Sequence, residues 1–371
     1  DIYFAYSSKT NEDSTGEPSR YIYQLEYESP HKVARRSVEL DVNLSGNPAI
    51  TVDKSAVVMD RMARLLDGAG GYVSPSAFNA YLDCPLKFYF RTVAGLKPDD
   101  GVNEEIDVAM FGNILHKAME ILYTPLKGIS EPGKNIETLI NTPGVDLAVD
   151  RAISAECFGG EPFADSDIGG NLLLVRDIVR RYINSNIFPF DARQQGFTII
   201  ELERSLTCDF GFDIDGTTHT IKFSGLADRV DLLEGGRLRI VDYQTGTPHQ
   251  DFAGTEALMG SVPKERVAAV TQTLLYSLMA DRMQRQGDLP GTSVCPALYY
   301  VRLMNDPDYS PLLNHKDAGS VEEYGEYAGK FEAQLALRLG ELFDRSVPFS
   351  QCEDPAPCAY CDFDVICRRG Q

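Results

Sequence analysis

No run of 18 or more apolar residues occurs in the 371-residue chain, so the sequence implies no transmembrane helix. No signal peptide is visible, and the chain starts at Asp1 rather than Met, so it is expected to be a piece of something longer. A Gly-x-x-x-x-Gly-Lys-Ser/Thr phosphate loop is also missing, so this chain alone should not hydrolyse ATP. Internal repeats and low-complexity segments are absent, and the lack of tryptophan decides nothing. Positive charge is scarce: Lys and Arg number 35 against 55 Asp and Glu, a formal charge of −20. That is the wrong sign for gripping phosphates through cationic patches and counterion release. The plain reading is an acidic cytoplasmic protein. A nucleic-acid role requires the basic residues to cluster, or a partner subunit to supply the positive groove.

What is present is ordinary for a globular protein, with 43% hydrophobic and 24% charged residues. At the front, Ile2 to Tyr6 reads as a strand and Asn11 to Glu17 as a polar turn. A helix then opens at Pro18 with Tyr21, Ile22 and Leu25 on one face. A second helical stretch, Ala56 to Leu66, ends at Asp67-Gly68-Ala69-Gly70-Gly71, the best candidate for a domain boundary. Ser74-Pro75 caps and starts the next helix, with Phe78, Tyr81, Leu82, Phe88 and Tyr89 supplying an aromatic buried face. Helices are expected over Met110–Tyr123, within 135–156 and within 170–187.

From Thr198 the hydrophobic period changes to two. Strands are expected at Ile199–Leu202, Leu206–Phe212, Thr218–Leu226 and Leu238–Tyr243, with turns at Asp213 to Gly216 and Glu234 to Gly236. A helix over Lys264–Arg285, a strand over Ala297–Arg302 and a helix over Val321–Phe343 follow. This order predicts an α/β or α+β domain with a central mixed sheet flanked by helices.

Two segments carry chemistry. Gly225-Leu226-Ala227-Asp228-Arg229-Val230-Asp231 ends one strand, and Arg239-Ile240-Val241-Asp242-Tyr243-Gln244-Thr245-Gly246 forms the next. If the two pair as a hairpin, Asp228 and Asp242 lie side by side. Carboxylates so placed raise each other's pKa unless a cation sits between them, and hard oxygen ligands suit Mg²⁺ or Mn²⁺. Asp242 and Gln244, two apart on a strand, project to one face. The competing reading has Asp228 and Asp231 paired with Arg229 or Arg239, and Asp242 closing a turn.

Of eight cysteines, Cys358, Cys361 and Cys367 form a C-x₂-C-x₅-C array, a spacing suited to a metal or cluster rather than to disulfides, and to a reducing compartment. They need a fourth ligand, and Cys352 is one possibility. Cys157, Cys208 and Cys295 read as ordinary buried thiols.

The ordered segments resemble the PD-(D/E)XK nuclease superfamily, in particular its RecB/AddB branch, over about residues 72–371. There a Gly-x-x-Asp-Arg-x-Asp strand and a hairpin precede a strand reading Asp-Tyr-Lys-Thr/Ser-Gly. Met110 to Glu120 is similar to the family's helix that presents a metal-binding histidine, and Gln272 with Tyr276 to its Gln-x-x-x-Tyr helix. The resemblance implies a restriction-endonuclease-like α/β core with helical insertions. It implies metal ligation by His116, Asp228, Asp242 and the Tyr243 carbonyl, with Gln272 and Tyr276 positioning DNA.

It further implies Cys84, in a Cys-Pro segment, as the remote first ligand of a [4Fe–4S] cluster completed by Cys358, Cys361 and Cys367, with zinc as the alternative. Such a link would close a loop of more than 270 residues and stabilise chiefly by restricting the unfolded chain. Residues 1–70 would be the tail of a helicase-like domain and 71–371 the nuclease-like domain, closed by the cysteine cluster. Single-stranded DNA ends and a helicase–nuclease partner subunit are the implied partners.

One position departs from the pattern. Gln244 stands where the family has its lysine, whose charge stabilises the attacking hydroxide or the phosphate; loss of such an interaction costs about 2.7–4 kcal/mol. Neither Lys222, some 20 Å away along its strand at ~3.3 Å per residue, nor Lys117, turned by about 100° from His116, is a good stand-in. Three readings follow: a metal-dependent nuclease for recombination and double-strand-break repair; an inactive nuclease fold that binds DNA or a partner subunit; or a zinc or Fe–S structural module unrelated to DNA.

Overall fold

The computed structural model describes residues 18–30, 32, 34, 49–97, 108–260 and 265–369, and divides into two compact units, 1–48 and 49–371. The strand expected at Ile2–Tyr6, the turn at Asn11–Glu17 and the expected helix start at Lys264 lie outside the described residues. In the first unit a helix spans Arg20–Glu28, started by Ser19, whose hydroxyl accepts the Tyr21 N–H.

The second unit is built on a four-stranded mixed sheet: β1 (Phe197–Ile214), β2 (Thr217–Leu233), β3 (Arg237–Gln244) and β4 (Ser293–Tyr300), in that spatial order. β1–β2 and β2–β3 pair antiparallel, whereas β3–β4 pair parallel, with Asp242 opposite Leu298. The first hairpin turns on Asp215 and Gly216, both at positive φ (49° and 77°), which is the pattern of the two-residue turn that matches strand twist. The strands expected at Ile199–Leu202 and Leu206–Phe212 are one 18-residue strand, irregular between Ile199 and Glu201. The polar Glu203-Arg204-Ser205 step interrupts the apolar pattern without ending the hydrogen-bonded ladder.

Helices flank the sheet, among them α1 (Pro75–Asp83), α2 (Val108–Tyr123) with α3 (Pro143–Cys157) packed on it, α4 (Ala268–Gln286) and α5 (Gly325–Phe343). α1 begins as its sequence dictates, with the Ser74 hydroxyl accepting the Ala77 N–H and Pro75 in the first turn. The helix expected within 135–156 is two helices, Gly133–Leu139 and α3, broken at Asn141 (φ 56°) and Pro143. α4 is the crossover that joins the parallel pair β3 and β4. Among the described residues, no helix is long and apolar enough to cross a membrane.

β3 is buried on both faces, and its alternation divides the core. Leu238 and Ile240 pack with Leu274, Leu278 and Phe331 of α4 and α5. Val241 and Tyr243 pack with Ile114, Leu115 and Val149 of α2 and α3. Each such aliphatic or aromatic side chain contributes about 1.5–3 kcal/mol by leaving water. The result is a three-layer α/β domain, and residue parity on β3 decides which layer a side chain addresses. The Asp67–Gly71 segment is tied to the sheet: the Asp67 carboxylate accepts from the Thr220 N–H (2.8 Å) and lies 2.8 Å from His219 Nδ1.

Candidate metal and nucleic-acid site

β2 and β3 pair with Arg229 opposite Val241, so one step further Asp228 faces Asp242 across the hairpin. Both carboxylates are buried. Asp228 accepts the Tyr243 N–H at 2.7 Å, and its other oxygen lies 3.5 Å from His116 Nδ1. His116 comes from α2 on one side of the sheet, and its Nε2 is 3.1 Å from the Tyr243 carbonyl. From α4 on the other side, Gln272 donates its amide to Asp242 at 3.2 Å. Gln244, sharing Asp242's face of β3, donates its amide to the same carboxylate. The residues singled out in the sequence thus converge at the end of β3 where the two helical layers meet.

Tyr276, one turn along α4 from Gln272, lies against Gly225 of β2. A Cβ on Gly225 would fall 2.7 Å from the Tyr276 ring and 3.0 Å from Pro75. Gly225→Ala should therefore overpack this contact and cost about 1–3 kcal/mol, measured as a lower urea midpoint with unchanged slope. An unaltered midpoint would show that Tyr276 simply swings aside.

Glu203 was not among the residues picked out by motif. It sits at φ 46° in β1, a costly conformation for a side-chain-bearing residue, at the register position facing Asp228. Burial raises its pKa, His116 opposes that rise, and Glu120 adds to it. The signal was present as a count: outward from the Asp215-Gly216 turn, Ile214 pairs Thr217, and the same sum brings Glu203 to Asp228.

The electrostatics follow from burying anions together. Asp228 is pushed up to about 7 by burial first, with His116 opposing and Asp242 adding to the rise. Asp242 is raised by burial against the lowering hydrogen bonds from Gln244 and Gln272 and the pull of His116. Burial would lower His116, but Asp228, Asp242 and the Tyr243 carbonyl outweigh it and the net shift is upward.

The stability consequence has one sign. Carboxyls raised in the fold are protonated there while ionised in the unfolded chain, so stability falls as pH rises from about 4 towards about 7. Loss of the His116 proton as pH rises acts in the same direction. Metal-free protein should melt at a higher temperature at pH 5 than at pH 7.5, and Asp228→Asn should flatten the difference. An equal slope in that variant would remove Asp228 as its source.

Behind the site Arg229 is fully buried. It bonds Asp191 (2.7 Å), Asp231 (3.0 Å) and the hydroxyls of Tyr243 (2.9 Å) and Tyr299 (3.1 Å), while Arg239 also holds Asp231 at 2.7 Å. The arginines therefore pair with Asp231 and not with Asp228. Among the described residues neither Asp228 nor Asp242 has a lysine or arginine ion-pair partner.

Those two carboxylates, a backbone carbonyl and an imidazole are a donor set that fits Mg²⁺ or Mn²⁺ in kind. Among the described residues, no three His, Cys, Asp or Glu side chains are drawn into a group able to hold an ion as they stand. Internal hydrogen bonds engage the carboxylate oxygens instead.

Residues from two distant stretches of the chain, Cys84, Lys87 and Phe90 with Cys352, Cys358, Cys361, Phe363 and Cys367, line one pocket. All are free thiols, and Cys84, Cys352 and Cys358 are buried. Cys208 and Cys295 are buried elsewhere, and Cys157 is half-buried.

Residues 72–368 match the PD-(D/E)XK nuclease superfamily, and the chain belongs to it. An uncharacterized protein of Rickettsia felis is 27% identical over 172 residues, 44% of this chain and 17% of that protein. One subunit of the ATP-dependent helicase/deoxyribonuclease of Streptococcus agalactiae is 25% identical over 221 residues, 60% of this chain and 18% of that protein. An uncharacterized protein of Rickettsia bellii is 22% identical over 244 residues, 60% of this chain and 25% of that protein. The matched stretches span a quarter or less of these relatives.

Proposed function

We propose that this chain is a metal-dependent deoxyribonuclease module of an AddB/RecB-type DNA end-processing protein, acting in recombination and double-strand-break repair. The observation that carries the reading is the meeting of His116, Asp228, Asp242 and the Tyr243 carbonyl at one end of the sheet. Those four groups would hold Mg²⁺ or Mn²⁺, which when bound orients a phosphodiester and activates water for in-line displacement. Gln272 fixes the Asp242 carboxylate from α4, and Tyr276, one turn further along and buried against Gly225, would help position DNA by supporting the strand beneath the site. Residues 1–70 would continue a helicase-like part, with a helicase–nuclease subunit as partner. Cys84, Cys358, Cys361 and Cys367 would hold a [4Fe–4S] cluster, or zinc, that closes the nuclease-like region 71–371.

Gln244 favours a second reading, a weak or silent nuclease that binds DNA or a partner. Its amide can hydrogen-bond but supplies no charge to the reacting phosphate. The test is degradation of single-stranded DNA with Mn²⁺ or Mg²⁺, run beside Asp242→Ala. Nuclease action predicts metal-dependent loss of substrate that the variant abolishes. Equal background in both proteins rejects the enzyme in favour of the second reading.

A further inference from the structure

Glu203 stands out by its backbone. Among the described residues the non-glycine positions at positive φ are Asp67, Glu131, Asn141, Glu203, Asp215 and Arg368. The other five occupy turns and bends, where such a conformation reverses the chain or ends a helix. Of these six, Glu203 alone lies inside a strand, at φ 46°, where a residue that carries a side chain is strained.

The distortion is shared with the neighbouring strand. In β1, Leu206, Cys208 and Phe210 face the core of α4 and α5, but Leu202, of the same parity, packs in the core of α2 and α3. In β2, Phe223, Ala227 and Val230 all belong to the α4 and α5 core, so parity breaks between 227 and 230. The one pair of facing positions inside both breaks is Glu203 and Asp228. It is flanked by Leu202 opposite Arg229 and by Arg204 opposite Ala227. Both strands therefore leave the regular pleat at the position from which Asp228 reaches His116 of α2.

The carboxylate placed there is half-buried and, among the described residues, makes no hydrogen bond and no ion pair. Lys117, whose charge it feels along with those of His116 and Glu120, is committed to Glu120 at 2.7 Å. Lys127 is committed to Glu201 at 2.9 Å. The strain thus gains the fold no bond, and strain of this kind clusters at reacting centres. Gln244 supplies no charge with which to activate water, whereas a carboxylate without a partner can take a proton from it.

We infer that Glu203 is a catalytic carboxylate of the proposed nuclease site, and that it accepts the proton of the attacking water. The water's O–H bond breaks as its oxygen bonds to phosphorus. The bond from phosphorus to the leaving deoxyribose oxygen breaks, and the proton passes from Glu203 to that oxygen. This role rests on the nuclease reading above and adds a residue to it.

Glu203→Gln, Glu203→Asp and Glu203→Gly are compared with the parent chain in Mn²⁺-dependent degradation of single-stranded DNA, and in urea midpoint without metal or DNA. Glu203→Gln should lose roughly 10²–10⁴-fold in kcat, the share of a proton-transferring group, with KM little changed. Glu203→Asp keeps the carboxylate and tolerates this backbone, so part of the rate should return. Glu203→Gly should be as slow as Glu203→Gln yet unfold at a higher urea concentration, because glycine adopts positive φ without strain.

A kcat for Glu203→Gln within about tenfold of the parent would overturn Glu203 as a catalytic residue and spare the nuclease reading. A lowered urea midpoint for Glu203→Gly would also overturn it, by showing that the side chain serves the fold. A parent chain that degrades no DNA would overturn the nuclease reading and this role with it.

Discussion

Gln244→Lys is expected to raise metal-dependent cleavage of single-stranded DNA by about two to three decades. Position 244 shares its face of β3 with Asp242, and the Gln244 amide already reaches that carboxylate, so a side chain there points at the proposed metal site. Lysine would bring a full positive charge into a buried site whose carboxylates lack a lysine or arginine partner among the described residues. Charge placed where the phosphate becomes more negative is worth about 2.7–4 kcal/mol in a water-poor site. The same ammonium should pull the pKa values of Asp228 and Asp242 down towards the ordinary carboxylate range and so ease metal binding near neutral pH. Initial rates with Mn²⁺, compared among the parent, Gln244→Lys and the Gln244→Lys/Asp242→Asn double variant, decide the matter. A single variant no faster than the parent would mean that the missing charge is not what limits this site.

Arg229→Met is expected to cost about 3–5 kcal/mol of stability, the range for breaking a buried ion pair from one side. The substitution keeps the bulk that packs against Tyr123, Phe197 and Tyr299 but leaves Asp191 and Asp231 buried with fewer partners. Asp231 retains Arg239, whereas Asp191 keeps only the Tyr123 hydroxyl among the bonds described, so most of the penalty falls on Asp191. Adding Asp191→Leu should therefore recover much of the loss, because an apolar replacement leaves no stranded charge. Urea midpoints for the single and double variants check this. A cost below about 1 kcal/mol for Arg229→Met would show that water reaches the network, as it does at surface pairs.

Much of the site was legible because strands impose arithmetic. The glycine turn between β2 and β3 fixes the register, and register alone brings Asp228 to Asp242. The two-residue period of β3 puts Gln244 beside Asp242, and the helical repeat of α4 puts Gln272 and Tyr276 on one face. His116 is different: no local pattern says that α2 will reach the far end of β3, and only its match to a family segment pointed there. Glu203 was missed because the Glu203-Arg204-Ser205 step looked like a gap between two strands, although counting from the Asp215-Gly216 turn reaches it. The strict alternation expected of a half-buried strand also failed for β3, which is covered on both faces.

The cysteine pocket shows the opposite limit. The spacing of Cys358, Cys361 and Cys367 was informative, but which remote thiols join them depends on the packing of the Phe349–Ser350 strand against Thr51–Val52.

The donors around β3 are drawn from both helical layers, His116 from one and Gln272 from the other. Neither layer can assemble the site without its counterpart, so ion affinity at the proposed site would report on the completion of the whole domain and not of a fragment. A chain still folding, with only one layer docked, would therefore lack the proposed metal site, and on that proposal damage to either core should be felt as weakened metal binding before any loss of secondary structure.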